Sequence, residues 1–229
     1  MTAPLTIAID GPSGSGKSSV SKAVAGRLGV GYLDTGAMYR ALTWWCLERG
    51  LDLTDPDAVA AAARDLPLEI GTDPDAPTVV VGGTDVGEAI RTTQVSTAVS
   101  VVATNLEVRA VLQQRQRDLM ARIAEQTGGV VAEGRDITTV VAPDARVRVL
   151  LTASEEARLR RRSAELHGAV DAAAVEATRD QVVRRDRDDS TVSAFTEAAE
   201  GVVLVDTSEL DFDASVEAVL DVVAAETAE

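Results

Sequence analysis

Lysine is nearly missing from this chain. Only Lys17 and Lys22 occur among its 229 residues, so arginine supplies almost all the positive charge. Acidic residues outnumber basic ones, 37 against 22, for a formal net charge of −15. That balance excludes broad, non-specific binding to nucleic acid or an anionic membrane. Any polyanion must be gripped by a local arginine cluster. Arg158, Arg160, Arg161 and Arg162 form one, and Arg184, Arg185 and Arg187 a second. Cysteine is equally scarce. Cys46 stands alone, so no intrachain disulfide can form, which fits a reducing compartment. Between Trp45 and Leu47 it reads as a core residue rather than a nucleophile. No apolar run is long enough to cross a bilayer, and the first residues lack the basic and apolar regions of a signal peptide. A soluble, cytoplasmic protein is expected, with no membrane or nucleic-acid partner and a monomeric state.

The hydrophobic content of 45% is ample for one large α/β domain. Leu5–Ile9 reads as a buried strand, and Ser18–Leu28 has helical spacing. A short strand ends near Asp34, followed by helices over Ala37–Arg49 and Asp55–Arg64. Residues 66–104 have a different texture, punctuated by Pro67, Gly71, Pro74 and Pro77. A β-branched run, Thr78–Val81, precedes Gly82-Gly83, a hairpin signal, and Val95–Val102 reads as helix. This stretch is expected to be a small α+β insert in a core formed by 1–65 and 105–229. Beyond it, Leu106–Glu125 is a long helix. Val130–Ala132, Val147–Leu151 and Val202–Val205 are strands, and Ser154–His167, Asp171–Arg187 and Ala214–Ala225 are helices. Such alternation predicts right-handed βαβ units and a mainly parallel sheet.

Gly11-Pro12-Ser13-Gly14-Ser15-Gly16-Lys17-Ser18 fits G-x-x-x-x-G-K-[ST] at every fixed position. It follows a strand and opens a helix, the context of a P-loop. Its glycines turn backbone N–H groups around an anion, and the helix N-terminus adds its positive end. Lys17 supplies a point charge for the β- and γ-phosphates, and Ser18 a hydroxyl for Mg²⁺. A GTPase would need Asn-Lys-x-Asp, which a chain with lysine only at 17 and 22 cannot supply. Small-molecule kinases remain the leading class.

If the acceptor is itself a phosphate, two polyanions must be brought together. Their repulsion is best cancelled by arginine, whose planar fork grips two oxygens. Three places at the carboxyl edge of the sheet fit that need. Asp34-Thr35-Gly36-Ala37-Met38-Tyr39-Arg40 leads from strand to helix, with Thr35 a candidate cap and Arg40 one turn inside. Glu133-Gly134-Arg135-Asp136 ends a core strand in both charge signs, with an Arg135–Asp136 ion pair the structural alternative. The third is the run from Arg184 to Val192, RRDRDDSTV, at a helix C-terminus.

These segments together resemble the bacterial cytidylate kinases over nearly the whole chain. The resemblance rests on IDGPSGSGKSS, LDTGAMYRA, GEAIRT, the pair Ser100 and Arg109, VAEGRDITTVV and RRDRDDST. It implies a P-loop NTPase core of five parallel strands flanked by helices, like adenylate kinase, with the insert at 66–104 and a short arginine-rich lid near 155–170. The implied reaction is Mg²⁺-dependent transfer from ATP to CMP or dCMP. Residue by residue, Gly11 to Ser19 would hold the ATP phosphates, with Ser18 on Mg²⁺ and Glu133 reaching it through water. Arg158, Arg161 and Arg162 would meet ATP from the lid, a solvated helix face being the alternative. Arg40, Arg135 and Arg185 would hold the acceptor phosphate, with Lys17, Arg135 and Arg185 acting on the transferred group, and Thr35 would lie in the acceptor site. Asp189 would bind the sugar hydroxyls, and Ser100, Arg109 and Asp136 would read cytosine. In the charge run, Arg184, Asp186 and Asp188 are expected to stay in water.

Two departures stand out. The family arginine expected at position 192 is Val192, with Arg187 the candidate replacement, and Ser193-Ala194-Phe195 follows where a segment close to Ala-Pro-Leu is usual. Thr138 stands where glycine is common.

Overall fold

The computed structural model describes residues 4–167, 179, 184 and 186–228. The first half contains β1 (Leu5–Asp10), α1 (Lys17–Leu28), β2 (Gly31–Asp34), α2 (Thr35–Glu48) and α3 (Pro56–Arg64). The insert follows, with β3 (Leu68–Ile70), β4 (Val79–Val81), β5 (Thr84–Asp85), a 3-10 turn over Ala89–Arg91 and α4 (Thr93–Ala103). The remainder comprises α5 (Leu106–Thr127), β6 (Gly129–Gly134), a π turn over Ile137–Val141, β7 (Val147–Thr152), α6 (Glu155–His167), β8 (Val203–Asp206) and α7 (Phe212–Thr227).

Five strands form one sheet in the order β2-β6-β1-β7-β8, every pairing parallel. Both faces are covered, so the strands alternate between two cores rather than between core and water. In β1, Ala8 faces the core built with Leu33, Met38 and Leu112. Ile7 and Ile9 face the other, with Val20, Val24, Val216 and Val219. The insert carries its own antiparallel sheet, β3-β4-β5, turning at Gly82-Gly83. Arg115 of α5 ties it to the core by donating to the carbonyls of Leu66 (2.8 Å) and Leu68 (2.5 Å).

Register sets the location of the site. Asp10 pairs with Gly134, and Asp34 with Glu133. The segments leaving β1, β2 and β6 therefore emerge side by side at the carboxyl edge, where open α/β sheets bind ligands.

One expectation needs correction here, and another lies largely beyond the described residues. Thr35 is not the cap of α2. Asp34 is, accepting from the Ala37 amide at 2.8 Å, and Thr35 is the first helical residue. The helix expected over 171–187 lies mostly outside the described residues, as do 168–170 of the expected lid; residues 186–190 are helical. Among the described residues no single helix is long and apolar enough to cross a membrane; α4 and α5 pass that test only jointly, and they bend by 100° at their junction.

Candidate active site

The P-loop is built on local backbone geometry. Gly16 caps α1 in the left-handed region and, among the described residues, no side-chain cap satisfies the first amides of that helix. Those unpaired donors, at the positive end of the helix, form an anion seat. Gly14 is doubly constrained. Its φ is +79°, and a Cβ there would lie 2.6 Å from the Arg158 carbonyl oxygen, because α6 rests directly on the loop. In front lies a cleft of about 690 Å³, whose walls include Lys17, Ser18, Arg40, Glu133, Arg135 and Arg162, with insert residues such as Thr78 and Arg91 closing the far side.

Glu133 organises the floor. It is 2% exposed, and its carboxylate pairs with Lys17 Nζ at 2.7 Å and accepts from the Tyr32 hydroxyl at 2.8 Å. Its carbonyl accepts from Thr35 Oγ1 at 2.7 Å. Thr35 thus fixes strand to helix. Burial, with the charges of Glu133 and Asp34, pushes the Tyr32 phenol well above its ordinary value, so it remains a donor. Arg40 pairs with Asp34 at 2.8 Å, while its Nε is buried beside the cleft with no partner among the described residues. Burial acts to raise the Asp34 carboxyl, but Arg40, the Ala37 amide and Lys17 outweigh it and hold it below the usual range.

Arg135 and Asp136, adjacent in sequence, point to different partners rather than to each other. Arg135 pairs with Asp186 at 2.8 Å and Asp189 at 2.9 Å, and its guanidinium lies 4.3 Å from the centroid of the buried Phe195 ring. Asp136 Oδ2 accepts from Arg109 and Gln113, both at 2.6 Å. Arg109 also donates to Ser193 Oγ at 2.9 Å and to the Ala103 carbonyl. Arg109 and Asp136, two of the residues expected at the base, are therefore brought together. Ser100 is not joined to it: among the described residues its contacts to Thr104 run through its own carbonyl.

The lid arginines divide. Arg162 lines the cleft. Arg158 and Arg161 are not a solvated face. Arg158 donates to the Ser13 carbonyl at 2.9 Å, and Arg161 to the Ser15 carbonyl at 3.1 Å and to Thr207 and Leu210. Arg185 lies outside the described residues. Arg184 is exposed, as expected, but Asp188 is half-buried and Asp186 is not in water. It pairs with Arg135 and Arg158 and accepts from the Ser13 amide. Arg187 does not replace the arginine missing at Val192, since its side chain is 74% exposed and its ion pair is with neighbouring Asp188.

The glycine-to-threonine departure at position 138 also has a partner. Thr138 donates through Oγ1 (2.6 Å) and its amide (2.8 Å) to Asp10 Oδ2, while the Ile137 amide donates to Oδ1 at 3.0 Å. Asp10, at the end of β1, thereby holds the π turn behind Arg135 and Asp136. Burial pushes its carboxyl up to about 6, against the lowering effect of Thr138 and the two amides. A raised acid favours the protonated native state, so this contribution is full below about pH 4 and is lost as pH rises through about 6, for roughly 3 kcal/mol in all. The difference in unfolding free energy between the wild type and Asp10→Asn should therefore vary across that window; a constant difference would contradict the raised carboxyl.

A family model described as cytidylate kinase matches residues 7–225. A protein from Streptomyces avermitilis named cytidylate kinase is 51% identical over 218 residues, covering 95% of this chain and 91% of its own. One of the same name from Cutibacterium acnes is 52% identical, covering 97% of both. Among solved structures, an uncharacterized protein from Eubacterium ventriosum superposes with a TM-score of 0.50 at 12% identity, covering 95% of this chain and 96% of its own, a likeness of fold alone.

Proposed function

Because the chain belongs to the cytidylate kinase family, we propose that it transfers the γ-phosphoryl group of ATP to CMP or dCMP, giving ADP and CDP or dCDP. One observation carries this reading: the P-loop residues Lys17 and Ser18 share a single cleft with Arg40 and Arg135. A seat for a donor triphosphate and arginines suited to an acceptor phosphate thus face one space. Arginine charge cancels the repulsion between the two nucleotides and stabilises the group in flight. The attacking oxygen is already anionic, so no general base is required.

In this reading residues 11–19 cradle ATP, and Arg162 reaches it from the lid, with Arg158 and Arg161 fixing lid against loop. Arg40, Arg135 and Arg185 hold the acceptor phosphate, with Thr35 bracing the wall behind them and Asp189 on the sugar. Ser100, Arg109 and Asp136 read the base. The insert, residues 66–104, covers the acceptor and α6 the donor, and the enzyme works as a cytoplasmic monomer. The oxygen donors Ser18, Asp34 and Glu133 line the same cleft, which suits Mg²⁺. Among the described residues no group of three His, Cys, Asp or Glu side chains forms a protein cage; an Mg²⁺ here would be held largely by phosphates and water. Ser18 would ligate it directly. Glu133, already engaged by Lys17 and Tyr32, would act through water. The ion supplies charge neutralisation across the phosphates.

ADP formation measured with CMP, dCMP, UMP and AMP tests the proposal. CMP and dCMP should be the preferred acceptors. UMP turnover equal to or above CMP would assign another acceptor, and ADP formation independent of any acceptor would rule out the transfer.

A further inference from the structure

Asp186 stands in a run of six consecutive charges, Arg184 to Asp189, yet its side chain is only 13% exposed. Both of its oxygens are used. Oδ1 accepts from the Ser13 amide at 3.1 Å and pairs with Arg135 Nη1 at 2.8 Å. Oδ2 pairs with Arg158 Nη1, which also donates to the Ser13 carbonyl. One carboxylate therefore joins three elements: the P-loop, the turn after β6 and the lid helix α6.

The two arginines belong to opposite halves of the reaction. Arg158 comes from the helix packed on the phosphate loop, and Arg135 from the turn beside the acceptor arginines. Two guanidinium groups brought to one place repel, and a shared carboxylate cancels that repulsion while fixing the orientation of each. Arg135 is held on its other sides by Asp189 and the Phe195 ring, and Asp186 links it to the loop. Among the described residues, this carboxylate is the charged tie between the lid and the acceptor turn.

We infer that Asp186 is a positioning residue that couples the ATP side of the cleft to the acceptor side by holding Arg158 and Arg135 in one bridge on the P-loop. The inference rests on the transfer reaction proposed above. Binding of either nucleotide orders the bridge, and the ordered bridge then favours the other nucleotide. This is coupling through a shared element, reciprocal between the two sites.

Asp186→Asn preserves shape and one acceptor for the Ser13 amide but removes the charge that both arginines share. Calorimetric titration of CMP, with and without a non-hydrolysable ATP analogue, reads the coupling directly. The wild type should bind CMP several-fold more tightly with the analogue present, and in Asp186→Asn that ratio should fall to about one. In steady state kcat should drop about 10- to 100-fold, the scale of a slight misplacement of positioned groups, and the several-fold gain in ATP affinity that bound CMP gives the wild type should be lost with the CMP ratio. Asp186→Glu should recover part of both quantities, and it also serves where Asp186→Asn folds poorly. A double-mutant cycle with Arg158→Gln should be non-additive, the double variant being little worse than the worse single one. An unchanged coupling ratio in a folded Asp186→Asn, or additive effects in the cycle, would overturn the inference. A variant faster or tighter for ATP would do so as well, since the carboxylate would then be competing for a phosphate seat. Failure of the reaction itself is distinguishable: the wild type would then show no CMP-dependent turnover at all.

Discussion

Lys17→Met should lower kcat by about 10²–10³-fold, the loss expected when one preorganised group facing the developing charge is removed. The structure adds a second effect that has to be kept apart from the first. Lys17 Nζ is the cationic partner of Glu133, and the two side chains are 15% and 2% exposed. Taking the ammonium away leaves a buried carboxylate whose remaining hydrogen-bond partner among the described residues is the Tyr32 hydroxyl. Breaking such a pair from one side costs about 3–5 kcal/mol in stability. A low rate could then reflect unfolding rather than lost chemistry. The double variant Lys17→Met, Glu133→Gln separates them, because a neutral amide tolerates the missing ammonium. Thermal unfolding should return toward the wild-type midpoint, while kcat stays low. If kcat recovers together with stability, the role of Lys17 is structural and the phosphate contact assigned to it is wrong.

The parts of this site that were legible in the sequence are local ones. The P-loop lies within a few consecutive residues whose conformation is set by their own glycines and by the helix they open. Five strands with helices between them could likewise be placed from apolar runs, because both faces of the sheet are buried and the strands read as continuous hydrophobic stretches. Pairings across the chain were not legible. Asp186 reaches Ser13 over 173 positions and Arg135 over 51, and no spacing rule connects them, so it looked like one more wet charge. Asp10 offered a weak signal, an acid ending an apolar strand, but its partners, the amides of Ile137 and Thr138, lie more than a hundred positions away. Thr35 reads as a cap because threonine often caps, whereas Asp34 takes that role and leaves Thr35 to bond the Glu133 carbonyl. The departures around Val192 read as losses. In the fold, Ser193 accepts from Arg109 and Phe195 backs Arg135, so the segment that departs from the family pattern supports two arginines.

Asp136→Asn should change which base is accepted more than whether ATP binds. Asp136 Oδ2 takes hydrogen bonds from Arg109 and Gln113, and among the described residues no hydrogen bond uses Oδ1. In the proposed complex that second oxygen accepts from the exocyclic amine of cytosine. Asparagine can keep its oxygen toward Arg109 and Gln113, so the buried guanidinium retains an acceptor and most of the stability lost in Asp136→Ala is preserved. Its amide nitrogen then faces the base, and a donor meets the donor of cytosine. Uracil presents a carbonyl at that edge and is matched instead. Sites built to hydrogen-bond a substrate group discriminate strongly against a ligand that leaves the group unpaired. We expect kcat/KM for CMP and dCMP to fall by about 10²-fold, with the value for UMP unchanged or raised and the KM for ATP within about threefold of wild type. Steady-state kinetics with the three acceptors reads all of these, and the midpoint of thermal unfolding reports on folding independently. An acceptor KM for CMP that does not move would remove Asp136 from the base site and leave the Arg109–Asp136 pair as a strut between α5 and the turn after β6.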